Sequence, residues 1–153
     1  MIYWDIDGVL RNQSAIALGG YPNIWYVKVG NQDFMDYIDD HLEILEISPP
    51  TEYLKVAKEF EPILIISNQP KSWRPYTEKW LQKYINVAEI IWAEPGEKLI
   101  YLRAKDRLVE DYPYFKDYSQ IILIDRPYNQ DVPAKIRICT PKQLRKILEE
   151  IRG

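Results

Sequence analysis

The chain has 153 residues, 46% of them hydrophobic and 28% charged, which supplies a core and argues against disorder. Its formal net charge of −3 gives no long-range attraction to nucleic acid or anionic membrane. One histidine (His41) and one cysteine (Cys139) exclude a histidine-rich zinc site, a multi-cysteine metal site and an internal disulfide.

The length predicts one domain over 1–153. No apolar run nears the roughly 20 residues that cross a bilayer. A cleaved leader would carry away Asp5 and Asp7, so the expected location is the cytoplasm, with no membrane partner.

The chain opens on Met1-Ile2-Tyr3-Trp4, apolar and bulky enough for a buried strand, which Asp5-Ile6-Asp7-Gly8 then interrupts. Two unpaired carboxylates one residue apart are costly in an apolar core and tolerable at a strand end beside a metal ion. There, one carboxylate can attack phosphorus while its neighbour moves a proton. Residues 11–48 form an insert: Ile24–Val29 reads as one arm of a small hairpin. Asp33 to Leu45 reads as a helix, with Phe34, Tyr37, Ile38, Leu42 and Leu45 on one face. The insert is either a small cap over the strand ends or an irregular connection.

Thr51 is placed to cap a helix over 52–60, followed by a strand at Ile63–Ile66 that ends in Ser67-Asn68. A helix over 75–85 buries Trp80, Leu81 and Tyr84. A strand at Glu89–Ala93, a turn at Pro95-Gly96 and a helix over 97–105 follow. Arg107–Val109 is a strand ending at Glu110-Asp111, and Ile121–Ile124 is another ending at Asp125-Arg126. Ile136–Cys139 adds an edge strand before a closing helix over 141–152. Strands alternating with helices predict an α/β fold, a three-layer Rossmann-like parallel sheet between helices. In such sheets ligands bind beyond the strands' C-terminal ends, where Asp5, Asp7, Ser67, Asn68, Glu110, Asp111 and Asp125 are expected to gather.

The run Asp5-Ile6-Asp7-Gly8-Val9 resembles the first motif of the haloacid dehalogenase-like (HAD) superfamily, and Ile65-Ile66-Ser67-Asn68 resembles its second. Within that superfamily the chain looks closest to the 5′(3′)-deoxyribonucleotidase-like phosphatases. The segments carrying this likeness are Arg74–Trp80, Leu108–Pro113 and Ile124–Asn129. The resemblance implies a HAD-like fold with a small cap at 11–48, and a Mg²⁺-dependent phosphomonoesterase working through an aspartyl-phosphate. Asp5 would be the nucleophile, and Asp7 would protonate the leaving oxygen and then activate water. Ser67 would bind a phosphate oxygen, with Asn68 beside it, although Ser67 also suits a helix cap and Asn68 a turn.

Mg²⁺ takes oxygen ligands. The resemblance assigns them to Asp5, the backbone carbonyl of Asp7 and one carboxylate of Glu110-Asp111. Asp111 is preferred, although Glu110 departs from the two aspartates usual at that motif. Lys98 and Lys105 compete for the lysine that holds nucleophile and phosphate. Helix starts face the active edge of an α/β unit, which favours Lys98, while Lys105 suits a helix C-terminus.

The expected partner is a small phosphorylated substrate. The resemblance leans toward a nucleotide, and Trp25, Tyr26 and Phe34 are equally able to stack on a base or to form the insert's own core. The insert is shorter than the helical cap of the deoxyribonucleotidases, which leaves sugar phosphates and other monoesters in play. A noncatalytic domain that binds a phosphorylated ligand or a protein is the alternative. Oligomeric state is not legible.

Overall fold

The computed structural model describes residues 1–94 and 96–153; the expected turn at Pro95-Gly96 lies partly outside them, at Pro95. Six strands form one parallel sheet: β1 (Ile2–Trp4), β4 (Ile63–Ser67), β5 (Val87–Trp92), β6 (Arg107–Glu110), β7 (Ile121–Ile124) and β8 (Ile136–Ile138). Their spatial order is β5-β4-β1-β6-β7-β8, with every neighbouring pair parallel. The sheet is flanked by helices in a Rossmann-like α/β arrangement. β1 lies at its centre because its side chains have cover on both faces: Trp4 packs into one cluster and Tyr3 into the other.

The helices are unevenly shared between the faces. Helices α4 (Leu54–Lys58), α5 (Arg74–Tyr84) and α6 (Pro141–Arg152) all contribute to the cluster containing Trp4, Ile63, Ile65, Trp80 and Leu144. Completely burying such a side chain contributes about 1.5–3 kcal/mol. The opposite face, around Tyr3, Ile66, Leu108 and Leu123, is covered by irregular chain carrying Leu99, Leu102, Phe115 and Tyr118.

This unevenness corrects one expectation. The helix predicted over 97–105 is a single 3-10 turn, Lys98–Tyr101. Leu99 and Leu102 pack inward while Ile100 and Tyr101 stay exposed, a spacing of three that suits a 3-10 turn. Asp106 then stops the segment: its carboxylate accepts from the Arg103 backbone N–H and from the Met1 ammonium.

The insert between β1 and β4 also differs in detail. The predicted hairpin arm at 24–29 shortens to β2 (Lys28–Val29), paired antiparallel with β3 (Gln32–Asp33). A short helix α1 (Ser14–Leu18) precedes it. The single helix expected over 33–45 is two, α2 (Phe34–Asp39) and α3 (Glu43–Ile47). Side chains capture the break. Asp39 accepts from the Trp73 indole at 2.6 Å, Asp40 accepts from Gln32, and the His41 Nδ1 donates to the Tyr37 carbonyl. The kink turns Ile38, Ile44 and Leu45 together onto Trp73. The insert is thereby pinned to the start of α5.

Thr51 precedes a helix shorter than the predicted 52–60. Its hydroxyl accepts from the Tyr53 N–H and donates to the Val9 carbonyl, so it ties this turn to the end of the β1 loop instead of capping the helix directly. Helix α6 begins as read, with Thr140 and Gln143 forming a reciprocal capping box. Cys139 is exposed.

Candidate active site

Beyond Trp4 the chain coils tightly, the N–H groups of Leu10 and Arg11 both returning to the Ile6 carbonyl. Gly8 adopts a φ of +79°, and a Cβ there would fall on the Asp111 carboxylate and against the Tyr128 hydroxyl. Only glycine meets both conditions. The turn therefore presses the β1 loop directly onto the end of β6.

Asp5, Ser67, Asn68, Glu110 and Lys98 come together along the C-terminal edge of the sheet, lining one cleft that Asp7 also borders. Asp111 joins them in a cluster: one oxygen each from Asp5, Glu110 and Asp111 lies within 4.8 Å of the others. All three residues are buried. Lys98, also buried, donates to Asp5 Oδ1 at 2.9 Å and to Glu110 Oε2 at 2.7 Å. Lys105 is exposed and plays no part.

The electrostatics follow from burial. Desolvation raises the Asp5 carboxyl well above the usual carboxylate range, and Glu110 adds to it while Lys98 opposes. Glu110 is also raised, by burial first, with Lys98 pulling the other way. Asp111 is pushed up to about 7 by burial and then by the charge of Asp5. Burial alone would lower the Lys98 ammonium; Asp5 and Glu110 outweigh it and hold it above its ordinary value. Three carboxylates against one ammonium leave this buried group short of positive charge.

The two acidic residues ending β6 do different things. Glu110 is fully engaged: Oε2 receives Lys98, and Oε1 receives the backbone N–H groups of Asp111 and Tyr112. Asp111 takes a hydrogen bond from the Tyr128 hydroxyl on Oδ2, while its buried Oδ1 has no partner among the described residues. An unpaired buried carboxylate oxygen is costly. An all-oxygen set missing one partner and deficient in positive charge fits a hard divalent cation such as Mg²⁺. Asp5 and Asp111 are the carboxylates that could hold it.

Asp7 contributes no carboxylate to that cluster. Its side chain is gripped by the Arg11 guanidinium as a fork, Nε to Oδ1 at 2.7 Å and Nη2 to Oδ2 at 3.0 Å. Gln69 donates to Oδ2 at 2.9 Å, and with its amide nitrogen turned inward Gln13 reaches both oxygens at 3.1 and 3.0 Å. Arg11 itself is wholly buried and also donates to the Leu45 carbonyl and to Thr77 Oγ1.

Sequence reasoning did not single out Arg11, Gln69 or Tyr128. A signal for Arg11 was present: an arginine directly after the apolar pair Val9-Leu10, four residues from Asp7, must find a partner if that run is buried. Tyr128 carried no such signal, because its partner Asp111 lies 17 positions away, just past the end of β6. Asp125, expected among the strand-end carboxylates, is held apart from the cleft by Arg137 at 2.7 Å and by Gln130.

No protein-family model and no curated protein matches this chain.

Proposed function

We propose that this chain is a phosphomonoesterase of HAD-like type, with Asp5 as nucleophile and Mg²⁺ held by Asp5 and Asp111. The observation that carries this reading is the buried Asp5–Lys98–Glu110 chain beside the unpartnered Asp111 oxygen, at the strand edge where ligands of parallel sheets bind. Bound there, the cation would screen the phosphate's charge and lower the cost of bringing an anion to a carboxylate.

The chain's own residues supply the rest. Lys98 fixes Asp5 through Oδ1, leaving Oδ2 to attack phosphorus as the bond to the leaving oxygen breaks. Asp7 gives the leaving oxygen its proton. Water then attacks the phosphorus of the aspartyl-phosphate, passing a proton to Asp7, and the bond to Asp5 breaks to release phosphate. Ser67 and Asn68 border the same cleft and are suited to phosphate oxygens. Glu110 acts through Lys98, holding its ammonium between the two carboxylates.

One observation favours a second reading. Among the described residues every contact to the Asp7 carboxylate comes from a donor, so Asp7 must leave the Arg11 fork before it can deliver a proton. A domain that only binds a phosphorylated ligand needs no such release. Phosphate release from a panel of nucleoside monophosphates, sugar phosphates and an aryl phosphate, with Mg²⁺ and with chelator, separates the two. The phosphatase reading expects metal-dependent release that Asp5→Asn abolishes while the fold survives. Tight binding of inorganic phosphate without turnover of any member supports the second.

A further inference from the structure

A second cavity, of about 450 Å³, adjoins the acidic cluster at Gly8 and Asp111. It shares Gln13, Trp25, Tyr26 and Met35 with the cleft that holds Asp5 and Lys98, so the two are immediate neighbours. Their linings have opposite character. The Asp5 side carries Lys71, Arg74 and Lys98. Among the described residues, no lysine or arginine lines the second cavity.

Its walls are aromatic: Tyr21, Trp25, Tyr26, Phe34 and Tyr128. Trp25 is anchored edge-on against Tyr112 and Tyr128, with centroids 5.3 and 5.2 Å apart, and Tyr26 stacks on Tyr114. Asp33 and Asp36 stand on the outer side, both exposed and neither ion-paired among the described residues, although Lys28 is opposite Asp33 in the hairpin. Asp111 lies at the inner junction. With Asp111 given to the metal, the field at the outer end comes from Asp33 and Asp36.

Aromatic faces combined with carboxylates and without basic groups favour an organic cation over a second anion. Tyr21 is already engaged by the Arg126 guanidinium, 4.1 Å from its ring centre, which leaves the Trp25 and Phe34 side of the cavity to face a ligand. We propose that this cavity receives an alkylammonium group. The substrate would then be a zwitterion, with a phosphate monoester over Asp5 and a positively charged nitrogen beside Trp25, Phe34 and Asp36. The substrate assignment rests on the phosphatase reading; the ammonium site itself does not.

The test titrates the full chain carrying Asp5→Asn, in Mg²⁺ and at fixed ionic strength, with choline and with its neutral carbon isostere 3,3-dimethylbutan-1-ol. Adenosine is the third ligand. Binding is read by ligand NMR line broadening and by tryptophan fluorescence, neither of which needs turnover. Choline should bind about tenfold or more tightly than the neutral isostere, and more tightly than adenosine. Trp25→Leu and Asp36→Asn should each weaken choline severalfold in protein that melts normally. Equal or tighter binding of the isostere, tighter binding of adenosine, or no choline binding overturns the proposal. Choline binding, together with no hydrolysis of any monoester by the unsubstituted chain in Mg²⁺, would uphold the site and defeat the phosphatase reading, so the two failures are distinguishable.

Discussion

Arg11 shows what one buried side chain can be asked to do. Its guanidinium joins the Asp7 carboxylate, the Leu45 carbonyl of the insert and Thr77 of α5, and its plane lies over the Trp80 ring. Arg11→Met removes the cation and leaves the Asp7 carboxylate uncompensated, with only the neutral amides of Gln69 and Gln13 beside it. Losing one member of a buried pair should cost about 3 kcal/mol, read as a lowered denaturant midpoint at unchanged slope. An unchanged midpoint would mean that the fork contributes nothing to the fold. Tyr128 acts on a smaller scale. It fixes the Asp111 carboxylate through Oδ2 and leaves Oδ1 unpartnered among the described residues, so Tyr128→Phe should weaken Mg²⁺ binding at the proposed site about tenfold in calorimetry. Wild-type affinity in that variant would remove Tyr128 from the site.

Among the elements, the 3-10 turn at Lys98–Tyr101 has the largest consequence. A helix over 97–105 would put Lys98 on the active edge by its helix start, but that stretch holds only the 3-10 turn. Lys98 still reaches the cleft, because the turn starts just beyond the end of β5 and Leu99 and Leu102 lock it against the sheet. Lys98→Ala should lower turnover by at least about 100-fold, in line with the loss of one buried donor to a reacting group. Lys105→Ala, at an exposed position, should leave turnover near wild type. The reverse ranking in initial-rate assays would refute the roles assigned here. The α2–α3 break teaches the complementary lesson. Apolar spacing alone reads through Asp39–His41 as helix, whereas the Trp73 indole recruits Asp39 from 34 residues away and bends the chain.

For the whole molecule, the buried acidic cluster links stability to pH. The Asp111 carboxyl stands near 7 in the folded chain against an ordinary value of 3.8. Its contribution is therefore fully present below about 3.8 and is lost as pH rises through 7, where the metal-free fold must bury another negative charge. In the proposed site Mg²⁺ would bind the ionised form. Added Mg²⁺ should raise the melting temperature little at pH 5 and markedly at pH 8, as followed by scanning calorimetry. A metal-induced shift independent of pH would show that Asp111 is not a ligand.

What is legible in the sequence is what depends on neighbours along the chain. Apolar runs of strand length determine the six strands. The polar residues that end them determine that Asp5, Ser67, Glu110 and Asp111 share one edge of a parallel sheet, since all strands run the same way. Side-chain partnerships are another matter. Tyr128 meets Asp111 across 17 positions and Arg126 meets the Gly8 carbonyl across 118, and no local pattern encodes either. Only the packed molecule decides that Glu110 is consumed by Lys98 while Asp111 keeps a free oxygen, that Asp7 lies in the grip of Arg11, and that the insert's aromatic residues wall a cavity. The physical reason is that strand formation follows from local shape and hydrophobic pattern, whereas the partner of a buried charge is set by whichever groups the tertiary packing leaves within reach.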